Sequence, residues 1–243
     1  MNGPVESLPM DRMAFAAPAR RRTLRPTAGL LVAAAVGLAL FPWVGGDYYA
    51  GLLMRVMILG IFAMSLDLLI GYTGLISFGH AAFFGLAGYL LAIVTPAGGI
   101  SVWLAVPGIL AATAVVAAAI GWLAIRTSGI YFIMLTLAFA QMLYYFFNDN
   151  PRFGGSDGIF LASRPTVSIG SLSLLDLADK TTLYYVVLAS LVAAFLLLSV
   201  VLRSPFGHVI RAIRVNEGRT RALGFSVRRY KLASFVIAGT LAG

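Results

Sequence analysis

The stretch Gly71-Tyr-Thr-Gly-Leu-Ile-Ser-Phe-Gly-His80 decides how this chain folds, because it places glycine and hydroxyl residues between two long apolar runs. Lipid-exposed irregular backbone is not tolerated at membrane depth, so such a segment must be buried in protein or line an aqueous cavity. Gly71 to Gly74 are suited to a tight turn or to a break in a helix. We therefore expect this glycine-rich break, residues 71–80, to interrupt a helical bundle, with Ser77 and His80 hydrogen-bonding across it.

The composition indicates an integral membrane protein. Of the 243 residues, 60% are hydrophobic and only 11% are charged, whereas a soluble domain carries about 25% charged residues. The absence of cysteine excludes disulfides and thiolate metal sites. A net charge of +9 raises the question of nucleic acid. The distribution of that charge instead follows a membrane topology, so we expect no nucleic-acid partner.

The apolar runs predict an all-α, polytopic helix bundle with six full spans, since crossing the hydrocarbon core takes about 20 apolar residues. The six predicted spans are residues 28–44, 48–70, 74–94, 102–124, 129–147 and 182–202. A seventh run starts near Lys231 and reaches Gly243, which is about 13 residues or ~20 Å of helix and too short to cross. We expect this truncated span to continue beyond Gly243. The first span could alternatively be a signal peptide, but no clear small-x-small cleavage site follows it.

The basic residues orient the bundle, because cytoplasmic loops are enriched in Lys and Arg. With the N-terminus in the cytoplasm, 14 of the 18 basic residues fall inside. This orientation makes residues 1–27 a cytoplasmic, disordered N-terminal segment and residues 28–243 the transmembrane domain. Residues 148–181 then form an outer loop, and residues 203–230, the basic segment, lie in the cytoplasm.

The basic segment has readable helix signals. Ser204 is a good N-cap and Pro205 a good first helical residue. Four apolar residues then fall on one helical stripe, namely Phe206, Val209, Ile210 and Ile213. A second short segment runs from Glu217 to Gly224, a typical C-terminal glycine. The pattern is compatible with an amphipathic helix at the anionic inner leaflet and with a helix that docks on a partner protein.

Within and after the break, Ser77, Ala81 and Gly85 form a row of small residues that would let another helix approach closely. The alternative for this region is a packing hairpin with an internally satisfied histidine. The outer loop contains NDNPRFGGSDG, which is dense in turn formers. It is either a solvated loop or a docking edge for another protein, with Arg152, Asp157 and Arg164 as charge contacts. Val167 to Leu177 has some alternation typical of a short amphipathic piece.

Three stretches resemble the permeases of branched-chain amino-acid ABC transporters, of the LivM type. They are GYTGLISFGHAAFFGLAGYLLA, RTSGIYFIMLTLAFAQMLYYFFNDNPRFGGSDGI and SPFGHVIRAIRVNEGRTRALGFSVRRYKLASFVIAGTLAG, in that order along the chain. The resemblance covers roughly residues 48–243. Permeases for urea and short amides share much of the pattern. Asp67 departs from it, because the family more often has a neutral amide there.

The resemblance implies a multi-pass permease subunit of the bacterial inner membrane that imports branched-chain or related small amino acids. Its protein partners would be a second permease subunit, two ATPase subunits and a periplasmic substrate-binding protein. The lipid bilayer would surround the permease subunits. This chain would bind no cofactor and no metal, since it lacks a G-x-x-x-x-G-K-[ST] loop, and ATP and Mg would sit on the ATPase subunits. The substrate-pathway residues would be Gly71, Tyr72, Gly74, Ser77, Gly79 and His80. Apart from the resemblance, Gln141, in the span before the outer loop, could also line the pathway or bond to neighbouring helices.

The resemblance also assigns the basic segment to coupling with the ATPase subunits. The coupling residues would be Glu217, Arg219, Arg221, Ala222, Leu223 and Gly224. In that interpretation the arginines are surface contacts, and Ala222 with Leu223 is the apolar plug. Phe206 to Arg214 would be the supporting interfacial helix.

Two other function classes compete with a transport subunit. A membrane-embedded enzyme would have to use His80, Asp67 and Ser77, and no H-E-x-x-H or G-x-S-x-G motif supports it. We therefore expect no catalytic residues. An ion channel or ion-coupled secondary transporter would need buried charge, for which Asp67 is the acidic candidate. Transport without ATP, driven by a proton or sodium gradient, would favour that class.

Overall fold

The computed structural model describes residues 24–43, 46–94, 102–150, 153–155, 158–159, 167–169, 172–175 and 179–243. Nearly all of these residues are helical, which confirms a helical fold. In the described part of the chain the α-helices are α1 (Leu24–Leu40), α2 (Gly46–Asp67), α3 (Ala81–Val94), α4 (Val102–Ala124), α5 (Ile130–Asn148), α6 (Lys180–Arg203), α7 (Pro205–Val215), α8 (Glu217–Ala222) and α9 (Val227–Ala242).

Helix α1 belongs to a separate compact unit, Met1–Leu40, whose described residues begin at Leu24. The helix begins at Leu24, four residues before the predicted span. The rest of the predicted disordered segment lies outside the described residues. The second unit, Phe41–Gly243, holds all the other elements.

Four helical stretches of the described chain are long and apolar enough to cross a membrane: Tyr48–Thr73, Ala105–Ala124, Ile130–Asn148 and Lys180–Arg203. Helices also occur at the first and third predicted spans, but the apolar stretches there, Ala33–Trp43 and Ala81–Val94, are shorter. The number of full spans and the cytoplasmic N-terminus therefore stay predictions. What the helices do support is a multi-pass membrane protein.

The third predicted span, 74–94, differs from the structure for a physical reason. Gly74 has a left-handed backbone (φ 77°) that ends helical winding, and α3 begins only at Ala81. Its 14 residues rise about 21 Å at 1.5 Å each. Residues 74–80, which precede α3, have an irregular conformation. Because the composition of this stretch is apolar, a hydropathy count does not detect the break and includes these residues in the predicted span.

The core of the second unit lies where α9 packs against α4 and the start of α3. Phe235 makes edge-to-face contacts with Phe83 and Phe132, with centroids 5.7 and 6.2 Å apart. Two glycines permit the close helix approach. A Cβ at Gly121 would lie 2.7 Å from the Phe235 ring, and one at Gly239 would lie 2.9 Å from the Cβ of Ala117. Helix α9 begins at Val227, earlier than the predicted start near Lys231.

The predicted outer loop is only partly described, and Arg152, Asp157 and Arg164 lie outside the described residues. Gly154, Gly155 and Gly158 have positive φ angles, as the turn-rich sequence predicts. Residues Val167–Ile169 and Leu172–Leu175 pair as an antiparallel hairpin, the one pair of strands within the described chain. This hairpin explains the alternation at 167–177.

Helix α6 begins with a well-formed cap. The Asp179 carboxylate accepts hydrogen bonds from the Thr182 hydroxyl and from the backbone N–H groups of Thr182 and Thr181. These bonds, led by the one from the Thr182 hydroxyl, hold the pKa of Asp179 below its ordinary value. The cap therefore favours the ionised carboxylate and fixes where α6 starts.

Candidate functional site

The glycine-rich break begins with a change in helical winding. Residues Leu68–Thr73 continue α2 as a π-helical turn, a geometry often found at functional sites. The backbone N–H of Leu75 donates to the Leu69 carbonyl at 2.9 Å, and the Thr73 hydroxyl donates to the Leu68 carbonyl at 3.0 Å. The turn thus satisfies these polar groups internally. This is the interruption of helix continuity that the sequence predicts at Gly71–Gly74.

Beyond Gly74 the chain alternates in burial. Leu75, Ser77 and Gly79 are buried, whereas Ile76 and Phe78 are exposed. Such a period of two is typical of an extended chain that lies between two environments. One edge of the break therefore packs inward while the other stays open.

Gly79 is the point of closest approach between the break and α5. A Cβ at this position would lie 2.8 Å from the backbone carbonyl carbon of Thr136 and closer still to its oxygen. The sequence predicts a close helix approach along Ser77, Ala81 and Gly85, but a Cβ at Gly85 would meet nothing within 4 Å. Within the described chain no helix approaches Gly85 closely, and the close contact occurs instead at Gly79, which has no side chain.

His80 is buried, and only one of its two ring nitrogens has a hydrogen-bond partner in the described part of the chain. Its Nε2 lies 2.9 Å from the Ser65 hydroxyl oxygen, and that hydroxyl donates to the Phe62 carbonyl at 2.7 Å. With the hydroxyl proton used in this way, Nε2–H is the donor to Ser65 and Nδ1 is left as an acceptor. Among the described residues, neither His80 Nδ1 nor the buried Ser77 hydroxyl has a hydrogen-bond partner.

The hydrogen-bond partner of His80 is not one of the residues named for a membrane-embedded enzyme. His80 is bonded to Ser65, which the sequence analysis did not single out, and its bonding includes neither Ser77 nor Asp67. Asp67 is exposed at the end of α2, and its carboxylate lies over Gly71. Only hydrogen at the Gly71 Cα leaves room for that carboxylate. No local sequence signal points to Ser65, since it precedes His80 by 15 residues.

Gln141 lies apart from His80 on the exposed surface of α5. It lines a groove of about 310 Å³ between α3 and α5, together with Phe78, Ala81 and Gly85. His80 does not line this groove. The structure therefore brings Gln141 next to the open small-residue face of α3 rather than next to the buried histidine.

The basic segment contacts the break directly, through its first helix, α7. The Arg214 guanidinium donates to the carbonyl oxygen of Gly71, and a Cβ at Gly74 would lie 3.1 Å from the Arg214 Cγ. The Arg211 guanidinium lies 5.1 Å from the centre of the Tyr72 ring, within cation–π range. From the sequence, Arg214 is expected only as the end of a supporting interfacial helix, and neither arginine is predicted to contact the break.

The predicted helix signals of the basic segment are confirmed with one exception. Pro205 opens α7, and Ile210 and Ile213 are buried on its inner face. Ser204 occupies the N-cap position, but its hydroxyl donates to the Val201 carbonyl instead of capping α7. Asn216 caps α8, accepting from the Arg219 N–H at 2.9 Å.

Glu217 is half-buried and makes two ion pairs. Its carboxylate lies 2.6 Å from the Lys231 ammonium, on α9, and 2.9 Å from the Arg221 guanidinium. In contrast, the tip formed by Arg219 and Ala222 in α8 and by Leu223 and Gly224 just after it is exposed, and Leu223 is 72% exposed. The tip therefore exposes an apolar side chain next to a residue held by ion pairs. Gly224, at φ 90°, turns the chain into α9.

Comparison with known proteins is consistent with this geometry. The model of the family described as branched-chain amino acid transport system / permease component matches residues 48–243. Two relatives are named high-affinity branched-chain amino acid transport system permease protein LivM, from Escherichia coli (strain K12) and Salmonella typhimurium. They are 28% and 27% identical over 77% of this chain. The chain spans about half (48%) of the length of these relatives. No solved structure gives a significant match.

Proposed function

Because this chain belongs to the family of permease components of branched-chain amino acid transport systems, we propose that it is a subunit of an ATP-driven importer. Its cargo would be a branched-chain or related small amino acid, carried across the bacterial inner membrane. The observation that carries the proposal is the direct bond between the basic segment and the glycine-rich break, from Arg214 to the Gly71 carbonyl. A transport subunit needs such a mechanical connection between an exposed docking point and a polar interruption of the bundle.

The exposed tip supplies the docking point. Leu223 and Ala222 present apolar surface outside the lipid-spanning helices, with Arg219 beside them. An ATPase subunit that covers this surface would bury Leu223, worth roughly 1.5–3 kcal/mol for a fully buried leucine side chain. The chain would pair with a second permease subunit, and two ATPase subunits would hold ATP and Mg.

The ion pairs of Glu217 connect the tip to Arg221 on α8 and to Lys231 on α9. Because Glu217 binds Lys231 on α9, displacement of the tip moves α9 as well as α7. Helix α9 carries Phe235 into the core, and α7 carries Arg214 to the break. Closure of the ATPase pair on ATP would therefore reach the break by two packed routes, which satisfies the requirement for a contiguous physical connection.

The transport pathway would run along the open edge of the break. The groove between α3 and α5, of about 310 Å³, is near the lower end of the usual size of ligand sites. The second permease subunit would cover its open side, with Gln141 as a polar contact. The unpaired His80 Nδ1 and Ser77 hydroxyl would become accessible to cargo only when the break shifts. A periplasmic binding protein would select the cargo.

The test is reconstitution of the complete transporter, with full-length permease subunits, ATPases and binding protein in proteoliposomes. Labelled leucine should enter only with ATP, and labelled urea and acetamide should compete poorly. Leu223→Asp should uncouple uptake by at least tenfold, while Leu223→Met, which keeps an apolar side chain, should retain it. Uptake driven by a proton gradient without ATP, or full uptake by Leu223→Asp, would contradict the proposal.

A further inference from the structure

A second cleft lies between the end of α4 and the start of α9, and it has no role in the proposed transport. Its volume is about 570 Å³. Three arginines line it, Arg126 from the end of α4 and the neighbouring Arg228 and Arg229 from the first turn of α9. In the described part of the chain, no carboxylate lines the cleft and no carboxylate pairs with these guanidinium groups. The cleft therefore concentrates three uncompensated positive charges.

Another cleft of similar size shows why this concentration is unusual. That cleft, about 530 Å³, is lined by Arg203 and Arg211 but also by the Asp67 carboxylate. Arg211 already donates to the Leu202 carbonyl at 3.0 Å. The positive charge of that cleft is thus partly offset by the Asp67 carboxylate and by the Leu202 carbonyl. The three-arginine cleft carries no such internal counter-ion among the described residues.

The three-arginine cleft lies at the level where lipid headgroups begin. The apolar span of α4 ends at Ala124, and Arg126 follows two residues later, about 3 Å along the helix axis. The Arg126 guanidinium lies 3.8 Å from the centre of the Trp122 ring. Tryptophan is enriched at membrane interfaces because its ring is amphipathic. This pair therefore marks the boundary between hydrocarbon and polar headgroups.

The remaining wall of the cleft is apolar. Ile125 and Leu232 join Trp122 on the side that continues along the membrane-spanning part of α4. A ligand that fills the cleft would have an anionic group for the guanidiniums and an apolar part for this wall. Arginine binds phosphate oxygens through a planar fork of N–H donors, and the first turn of α9 adds the positive end of a helix dipole.

We propose that this cleft is a binding site for an anionic phospholipid, with its phosphate between Arg126, Arg228 and Arg229 and its acyl chain against Trp122 and Leu232. A free phosphate ion would satisfy the arginines but leave the apolar wall unused, so the combination favours a lipid. The bound phosphate offsets the repulsion between the three cations and joins the end of α4 to the start of α9. The proposal does not depend on which cargo the protein transports.

The experiment is native mass spectrometry of the purified full-length protein, titrated separately with phosphatidylglycerol and with phosphatidylcholine. A basic residue near an anionic lipid surface contributes ~1 kcal/mol, or about fivefold. The wild type should therefore prefer phosphatidylglycerol by about tenfold or more, and less so at high salt. Arg228→Gln should lower the affinity for phosphatidylglycerol about fivefold, and the triple Gln variant should lose the preference. Arg219→Gln, which removes an exposed arginine that lies outside the membrane-crossing stretches and does not line the cleft, is the matched control and should leave the lipid preference unchanged.

Three outcomes would overturn the assignment. Equal binding of both lipids by the wild type would leave the arginines as topology determinants only. Displacement of phosphatidylglycerol by equimolar inorganic phosphate would indicate a site for free phosphate. An unchanged preference in the triple variant would place the lipid elsewhere. If the triple variant does not fold, Arg228→Gln alone decides, because an unchanged affinity in that variant also refutes the site.

Discussion

Replacing Gly79 by alanine should destabilise the protein, because the break packs there against backbone rather than against a movable side chain. The added Cβ would lie 2.8 Å from the Thr136 carbonyl carbon, whereas carbon atoms in good contact are about 3.5–4.0 Å apart. Relief requires a shift of roughly 0.7 Å or more between the break and α5. Helix α5 cannot yield freely, because Phe132, one turn earlier, is buried against Phe235.

The expected cost follows from measured overpacking of protein interiors, about 1–3 kcal/mol. That corresponds to a rise of about 5- to 140-fold in the equilibrium constant for unfolding. Gly85→Ala is the matched control, since its Cβ would meet nothing within 4 Å. In the middle of a helix, alanine is favoured over glycine by roughly 0.5–1 kcal/mol, so the control should be neutral or slightly stabilised.

The assay is reversible unfolding of the full-length protein in mixed micelles, with sodium dodecyl sulfate as denaturant and far-ultraviolet circular dichroism as readout. The free energy of unfolding of Gly79→Ala should fall below that of Gly85→Ala by at least 1 kcal/mol, the lower bound expected for overpacking. Equal free energies for the two variants would refute the reasoning. They would mean that the break does not rest on the Thr136 backbone.

Three further predictions concern individual hydrogen bonds. Arg214→Gln should weaken the contact with the Gly71 carbonyl and speed amide hydrogen exchange at residues 71–75 severalfold, since the guanidinium is the donor. Ser65→Ala should lower the free energy of unfolding by about 1–3 kcal/mol, because it leaves His80 Nε2 buried without its partner. Below pH 4, Asp179 should lose its cap, and exchange at the start of α6 should quicken. The pKa of Asp179 is depressed in the folded state, so its stabilisation is complete above the ordinary value of 3.8 and is lost as pH falls through the lower, folded pKa.

Each of the three has its own control. Arg229→Gln removes an exposed arginine that makes no described hydrogen bond to the break, and equal exchange in it and in Arg214→Gln would contradict the proposed contact. Unchanged stability of Ser65→Ala would show that His80 does not depend on the serine. Asp179→Asn keeps a good N-cap but removes the titrating group, so α6 should no longer respond to pH. Persistence of the response in that variant would assign it to another residue.

Much of the fold could be predicted from the sequence because burial in lipid imposes simple rules. Apolar runs long enough to cross the hydrocarbon core predict helices, and helices occur at all six predicted spans and at the seventh. The apolar stripe of α7 and the opening Pro205 are also local signals, and both are confirmed. Boundaries are less accurate, as the early starts of α1 and α9 show, because hydropathy does not register where a helix frays or is capped.

The candidate site also has features that local sequence predicts and features that it does not predict. The interruption at Gly71–Gly74 is predictable, since glycines beside hydroxyl residues disfavour continuous helix. The partner of His80 is not predictable, because Ser65 reaches it only through the packing of α2 against the break. Glu217, assigned to the docking turn, is paired with Lys231, which lies 14 residues away on another helix, and this pairing is not predictable from local sequence.

By itself, the sequence determined that this chain is a helical membrane protein interrupted near residue 74 and followed by an amphipathic basic helix. Those properties depend on composition and on local backbone preferences, which are set by each residue and its near neighbours in the sequence. Only the tertiary structure decided that Arg214 reaches the Gly71 carbonyl, that Gly79 rests on α5 and that three arginines meet between α4 and α9. Such contacts join residues far apart in sequence, and their distances are set by how whole helices pack.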